Sequence, residues 1–567
     1  MRAEEEVCRL QENKKAADEC TENRLQLRPK YVKIYKIKIY GRLSVWLMPI
    51  TELAMVNGKL LTEKLIAYAK LFLHLDDLDE IYARNTLLAE FKLDSAYVGE
   101  ADLEYVKEMS VPDVLFNETK DYALENSISD SDTTATLFAA YIFGLLTPKP
   151  SEINRSFNYL REKLGAQEAC NYLYRISVMN NYVQKTAISK NLGWTYKDGD
   201  NVLEITVNLS KPEKNNKDIA KLLSMPKQTD KYPACALCKE NEGYFGNYNH
   251  PPRANLRTVS VKLGGEDWQV QYSPYAYFNE HCIAFNREHV PMKMTGETIN
   301  KLFDFVEIFP NYFVGSNSDL PIVGGSILNH EHYQGGKHEM PMHKAKPLFK
   351  LSCEKYPDVE ISILDWYNSA IRLTGYNRNT VCALGTAIVD EWKIYSDEKS
   401  GIINSVEVRH NTCTPVARIL SDEKYCLELI LRNNITTEEY PDGVFHAHPE
   451  YHNIKKEGIG LIEAMGLYIL PARLKRQTEE IAAVLTGQTP FDYNTLTESD
   501  DLFVHRDMIK KLIEENPVVA DAETADRIIK NYINRVCVNI LENTAVFKKD
   551  EKGVIAFKKF LNELGIK

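Results

Sequence analysis

No stretch of this 567-residue chain holds even about 18 consecutive apolar residues, so a membrane-spanning helix is not expected. Positive charge is also in deficit. Lys and Arg number 69 against 80 Asp and Glu, a formal net charge of −11. Polyanions are held by clustered cations, so neither a nucleic acid nor an anionic membrane is expected as a partner. A small phosphorylated substrate stays open, because a few local cations can hold one. The 11 cysteines are scattered and odd in number, which fits a reducing compartment better than a disulfide framework. Met1-Arg2-Ala3-Glu4-Glu5-Glu6 lacks the basic start and apolar run of a secretory signal, and a cytoplasmic protein is expected. There is no low-complexity tract.

What is present is ordinary globular composition, 44% hydrophobic and 26% charged, in a chain too long for one core. Residues 1–54 read as an N-terminal extension. Tyr31–Tyr40 alternates as an amphipathic strand would, and the helical pattern starts afresh at Met55. Residues 55–231 read as a helical region, with 59–225 mostly helices. Asp130-Ser131-Asp132 is placed to cap a helix there, and 226–231 is a polar linker. Residues 232–347 mix strands with a helix. Strands are expected at Trp268–Tyr272, His281–Phe285, Tyr312–Val314 and Ser326–Leu328. Between them a helix begins after Thr295 and stops at Pro310. Residues 348–475 are again strand-rich, with strands expected at Thr380–Val389, Gly401–Val408 and Leu427–Leu431. Residues 476–567 return to helices. The fold class is α+β, with two mixed sheet and helix units between helical regions. His446-Ala-His448 echoes His330-Glu-His332, a short hint of duplication.

The stretch Ser326-Ile-Leu-Asn-His-Glu-His-Tyr-Gln-Gly-Gly336 carries the chemistry. If it is extended, His330, His332 and Gln334 share one face. A neutral imidazole can attack phosphorus and form a covalent intermediate, splitting one hard displacement into two. The Gln334 amide can donate to a phosphoryl oxygen as charge develops there. Taken alone, His-x-His is more often a structural or metal-binding pair. Cys235-Ala-Leu-Cys238 adds two thiols, and His289 and His330 follow at separations far too long for a zinc finger. A redox pair and two buried thiols stay open for Cys235 and Cys238. Arg253, Arg257 and Lys337 are candidate phosphate partners, with solvated surface charge as the plainer alternative.

The order Cys-x-x-Cys, His, Gly-Gly-Ser and His-x-His-x-Gln resembles galactose-1-phosphate uridylyltransferases of the histidine-triad superfamily, most closely their second, Firmicutes-type class. Tyr272-Ser-Pro-Tyr-Ala-Tyr-Phe-Asn-Glu-His281, Gly315–Ser326 and His446–Ile454 carry the same resemblance, which runs from about Met55 to the C-terminus. It implies two histidine-triad-like units and His332 as the nucleophile, with His330 and Gln334 beside it. It further implies Asn317 and Ser326 on substrate phosphates, and a structural zinc ion at Cys235, Cys238, His289 and His330. The implied substrates are UDP-glucose, UDP-galactose and hexose 1-phosphates. The reaction would be ping-pong exchange of UMP through a uridylyl-histidine. Another nucleotidyltransferase or phosphorylase of the superfamily, and a non-catalytic zinc-stabilised nucleotide-binding protein, stay as alternatives. A homodimer is the expected assembly, with nothing in the sequence fixing it. Three features depart from the better-known class. Glu331 stands where it has Pro. Its substrate-loop Lys has no clear match near Glu463-Ala-Met-Gly466. His446 and His448 lack an upstream His partner, so they are read as a hydrogen-bonded strand pair and not as ligands of a second metal.

Overall fold

The computed structural model describes residues 55–210, 232–404 and 408–567, and the backbone of three strands before them. These are β1 (Glu22–Leu25), β2 (Val32–Ile39) and β3 (Arg42–Trp46), an antiparallel sheet of their own. β2 falls within the strand expected at Tyr31–Tyr40. The linker expected at 226–231 lies outside the described residues.

A helical region follows. Ser131 caps the helix Asp132–Leu146 by accepting from the Thr134 N–H, as its position promised. The helical reading of 59–225 fails at its end. Residues Leu192–Asp198 (β4) and Asn201–Asn208 (β5) form a hairpin across Asp198-Gly199-Asp200. Gly199 sits at φ +61, a left-handed turn position that suits glycine. β5 alternates as a half-buried strand does, and its pairing partner lies far along the chain: β16 (Leu467–Pro471), which runs parallel to it.

The remaining strands form one ten-stranded antiparallel sheet. They are β6 (Val259–Leu263), β7 (Glu266–Tyr272), β8 (Cys282–Asn286), β9 (Phe313–Gly315), β10 (His332–Gly336), β11 (Pro347–Leu351), β12 (Glu360–Leu364), β13 (Ala370–Gly375), β14 (Asn411–Ile419) and β15 (Tyr425–Asn433). From one edge the order is β6-β7-β8-β10-β9, then β14-β15-β13-β12-β11. Each half therefore runs first, second, third, fifth, fourth from its outer edge. The halves join where β9 meets β14, through Gly315 opposite Val416 and Val314 opposite Ala417. In each half one long helix links the third strand to the fourth: Gly296–Ile308 and Arg378–Ile394. The duplication is thus topological. The His446-Ala-His448 echo is no part of it, because those residues lie in a turn after β15, whereas His332 opens β10.

Arg378–Ile394 corrects the strand expected at Thr380–Val389. Its β-branched residues suggested a strand. Yet Val381, Leu384, Gly385, Ile388 and Trp392 recur at helical spacing and are all buried, and Asn377 caps the first turn. The strand expected at Gly401–Val408 is also absent from the described part of that stretch; 405–407 lie outside the described residues, and β14 starts only at Asn411. Ser326–Leu328 is not a strand either. Val323 and Gly324 turn back onto the chain, where a Cβ on Gly324 would meet the carbonyls of Leu320 and Ser318 at 2.6 Å.

Both long helices cover one face of the sheet. Tyr333 of β10 packs there, stacked on Trp268 with ring centroids 4.6 Å apart. The other face meets β16 and the helices Arg473–Leu485, Arg506–Glu515 and Ala522–Thr544, with Phe313, Val416, Ile430, Leu467 and Ile533 in one cluster. No described helix is long and apolar enough to cross a membrane.

Candidate active site

β10 alternates its side chains as the pleat requires. His332 and Gln334 line a cavity of about 790 Å³, and Tyr333 between them enters the helix-side core. Two glycines end the strand. At Gly335 a Cβ would lie 2.3 Å from the Phe313 carbonyl, so only glycine lets β9 approach β10 this closely. The far wall comes from distant segments: Asn208 at the end of β5, Lys455, Gly460–Glu463 and Leu470-Pro471 of β16. β5 matters here, because its parallel pairing with β16 helps place that wall.

His332 Nδ1–H donates to the carbonyl of His330 at 2.8 Å, which leaves the lone pair on Nε2. Burial pushes this imidazole below its ordinary value, so the neutral, nucleophilic form is favoured. His330 lies in the bend before β10, and its ring turns away from the cavity. Its Nε2–H donates to the Asn286 carbonyl at 2.8 Å, and its Nδ1 is 3.2 Å from Cys235 Sγ. The expected common face of three side chains therefore holds for His332 and Gln334 alone.

Cys235, Cys238, His289 and His330 form a closed cluster whose ligand atoms all lie within 4.8 Å of one another. Cys235 Sγ is 3.5 Å from Cys238 Sγ, and Cys238 Sγ is 3.0 Å from His289 Nδ1. Two thiolates and two imidazoles around a tetrahedral ion have ligand edges of about 3.3–3.8 Å, so these residues fit a metal. The Asn286 bond fixes His330 in the tautomer that offers Nδ1 to it. Burial opposes a thiolate at Cys235, but bonds with His330 and the Leu237 N–H bring the thiol below its ordinary value. No second group of this kind is found among the described residues. His446 Nε2 accepts from the Ile459 N–H, and His448 Nε2–H donates to the Val444 carbonyl.

Glu331 faces away from the cavity. It accepts from Lys301 Nζ (3.1 Å), Tyr333 Oη (2.9 Å) and Asn286 Nδ2 (3.1 Å), all buried. Asn286 thus touches Glu331 through its side chain and His330 through its carbonyl. A carboxylate at this position ties the His-x-His backbone to the helix Gly296–Ile308.

Asn317 and Ser326 line the cavity, and Asn317 Oδ1 accepts from the Leu461 N–H at 2.9 Å. The two arginines do not line it. Arg253 is buried with its guanidinium 5.5 Å over the Tyr182 ring. Arg257 donates to the carbonyls of Pro148, Ala254, Leu256, Gly144 and Thr147 at 2.6–3.1 Å. Two of these, Gly144 and the C-cap Thr147, are carbonyls at the end of the helix Asp132–Leu146. Arg257 is therefore a helix-end clamp, which corrects its reading as a phosphate partner. Arg257→Ala should cost roughly 2–4 kcal/mol of stability, since it leaves buried carbonyls without donors. It should leave ligand affinity at the cavity of the folded protein unchanged. Weaker binding there at unchanged melting temperature would return Arg257 to the cavity.

Three cavity residues escaped the sequence reading. Lys455 brings a cation to the cavity wall, with its Nζ 2.9 Å from Glu463 Oε1. Glu463 is that partner. His281 had been noted only as the end of a motif. None of the three lies near His332 in sequence, so spacing could not flag them.

Residues 78–291 match the family described as galactose-1-phosphate uridyl transferase, N-terminal domain, and residues 304–498 match its C-terminal domain. The chain belongs to the galactose-1-phosphate uridylyltransferase family. The two matched stretches part between β8 and β9, so the first half of the sheet draws on both. The galactose-1-phosphate uridylyltransferase of Caldanaerobacter subterraneus is 44% identical over 511 residues, which cover 89% of this chain and 98% of that one. That of Clostridium acetobutylicum is 40% identical over 513 residues, 90% of this chain and 100% of its own. That of Streptococcus mutans is 41% identical over 493 residues, 87% and 96%. No solved structure matches the chain. As a member of this uridylyltransferase family, the chain is a nucleotidyltransferase.

Proposed function

We propose that the chain exchanges UMP between UDP-glucose and galactose 1-phosphate, releasing glucose 1-phosphate and UDP-galactose, with His332 as the covalent carrier. One observation carries this reading. The His332 ring is held by its Nδ1–H, so the Nε2 lone pair is the one left to react, in a cavity it shares with the Gln334 and Asn317 amides. Nε2 attacks the α-phosphorus of UDP-glucose. An N–P bond forms, and the P–O bond to glucose 1-phosphate breaks. A phosphate oxygen of galactose 1-phosphate then attacks the same phosphorus, and the N–P bond breaks. Gln334, Asn317 and Ser326 offer donors to the phosphoryl oxygens while charge shifts there. The unit 232–347 supplies the nucleophile, and the segment after β15 supplies the facing wall.

The metal is zinc on this reading, because two thiolates and two imidazoles in a closed set are its preferred structural ligands. With four protein ligands no position is left to activate a water. Its contribution is to hold His330, and through the His330 carbonyl the His332 ring.

UDP-glucose alone should add one uridylyl mass to the intact protein, located at His332 and labile to acid but stable to base. An active enzyme that carries no adduct would remove the ping-pong reading, and an adduct on a serine would remove His332 as its carrier.

A further inference from the structure

The cavity contains a second imidazole that this chemistry does not use. His281 stands just before β8 and lines the cavity together with Gln334. It is 2% exposed, and its ring is packed between Tyr277 and Phe278 at centroid distances of 5.3 and 4.6 Å. Its Nε2 lies 3.2 Å from Gln334 Oε1, and its buried Nδ1 has no hydrogen-bond partner.

These facts select one tautomer. Burial holds the ring far below its ordinary value, at about 4, so it is neutral near pH 7 and carries a single N–H. On Nδ1 that proton would be a buried donor facing no acceptor, which folded proteins rarely tolerate. On Nε2 it meets the Gln334 carbonyl. With Oε1 engaged, the Gln334 amide nitrogen points the other way. Asn317 is treated alike. Its Oδ1 is taken by the Leu461 N–H, and its Nδ2 approaches Gly325, where a Cβ would come within 2.8 Å. Two amides are thus held by their carbonyl ends on one cavity.

We infer that His281 is a positioning residue for the transfer reaction: its Nε2–H anchors the Gln334 carbonyl and so presents the Gln334 NH2 to the phosphoryl oxygen. This rests on the reading of His332 as the uridylylated group. An unanchored amide can rotate by half a turn and offer the phosphate a carbonyl oxygen, which repels the charge it should stabilise.

The test is a double-mutant cycle of His281→Phe, Gln334→Ala and the pair. The readouts are the rate of uridylylation at saturating UDP-glucose and, separately, the Kd for UDP-glucose. His281→Phe should slow uridylylation about 10- to 100-fold, the scale of losing one well-placed donor, with Kd shifted by less than about two-fold. On the Gln334→Ala background the same change should alter the rate by less than about two-fold, because the group it acts through is gone. His281→Gln, which restores an N–H donor, should recover part of the rate. Effects that multiply in the double variant, or a full rate in His281→Phe, would overturn the inference. If His281→Phe loses bound metal or melts early, His281→Asn replaces it in the cycle. If the wild-type enzyme takes no label, the reading of His332 fails by itself, and the cycle is read from steady-state kcat.

Discussion

His332→Ala should abolish turnover, by on the order of 10⁴- to 10⁶-fold, while the protein keeps its fold and its metal. The side chain is the only group on the cavity face of β10 with a lone pair suited to attack phosphorus. Its removal leaves the cavity amides and the facing wall in place. Binding of UDP-glucose should therefore persist when the chemistry is gone. The His332 ring makes a single hydrogen bond, to the His330 carbonyl, so its loss does not unseat the cluster at Cys235, Cys238, His289 and His330. Isothermal titration of UDP-glucose, metal analysis and a melting curve check the three unchanged properties. Residual turnover within about ten-fold of wild type would mean that another group carries the uridylyl.

Cys235→Ser should act in the opposite manner, lowering stability and turnover together. A hydroxyl is a poor substitute for a thiolate ligand, so the metal is lost or weakly held. Structural zinc contributes about 10–16 kcal/mol to the folding of small finger peptides. A chain this size depends on it less, but one of four ligands is still removed. The cluster ties three separate segments together: the Cys235–Cys238 turn, the stretch after β8 at His289, and the bend before β10 at His330. His330 also supplies the carbonyl that orients His332. Loosening that bend moves His332, and a displacement of about 1 Å in a reacting group can cost on the order of 100-fold in rate. Elemental analysis, melting temperature and kcat should fall in step. Active, well-folded wild-type enzyme with no bound metal would require a different account of these four side chains.

The two variants separate what His332 and His330 do, although they are two residues apart. One ring faces the cavity, and the other faces the cluster of Cys235, Cys238 and His289. A bend at His330 followed by a strand from His332 makes the difference, and no alternation rule along an assumed continuous strand reveals it.

Local signals were legible where neighbours in sequence decide the structure. The caps at Ser131 and Thr295, the stop at Pro310 and the strand over Trp268–Tyr272 depend on residues within one or two turns of each other. The order of Cys-x-x-Cys, His and His-x-His-x-Gln was enough to name the family, because the residue types that ligate and attack are few and their order is specific. Other features depend on contacts between residues a hundred or more positions apart. The segment Thr380–Val389 is β-branched, and its helix shows only in which residues meet the sheet. β5 finds its partner in β16, and that pairing builds the far wall of the cavity. Arg257 looked like a surface cation until the end of the helix Asp132–Leu146 was placed against it. His281 acquires a role only because β8 lies beside β10. In each case the sequence determined which groups are present, and the tertiary fold decided which of them meet.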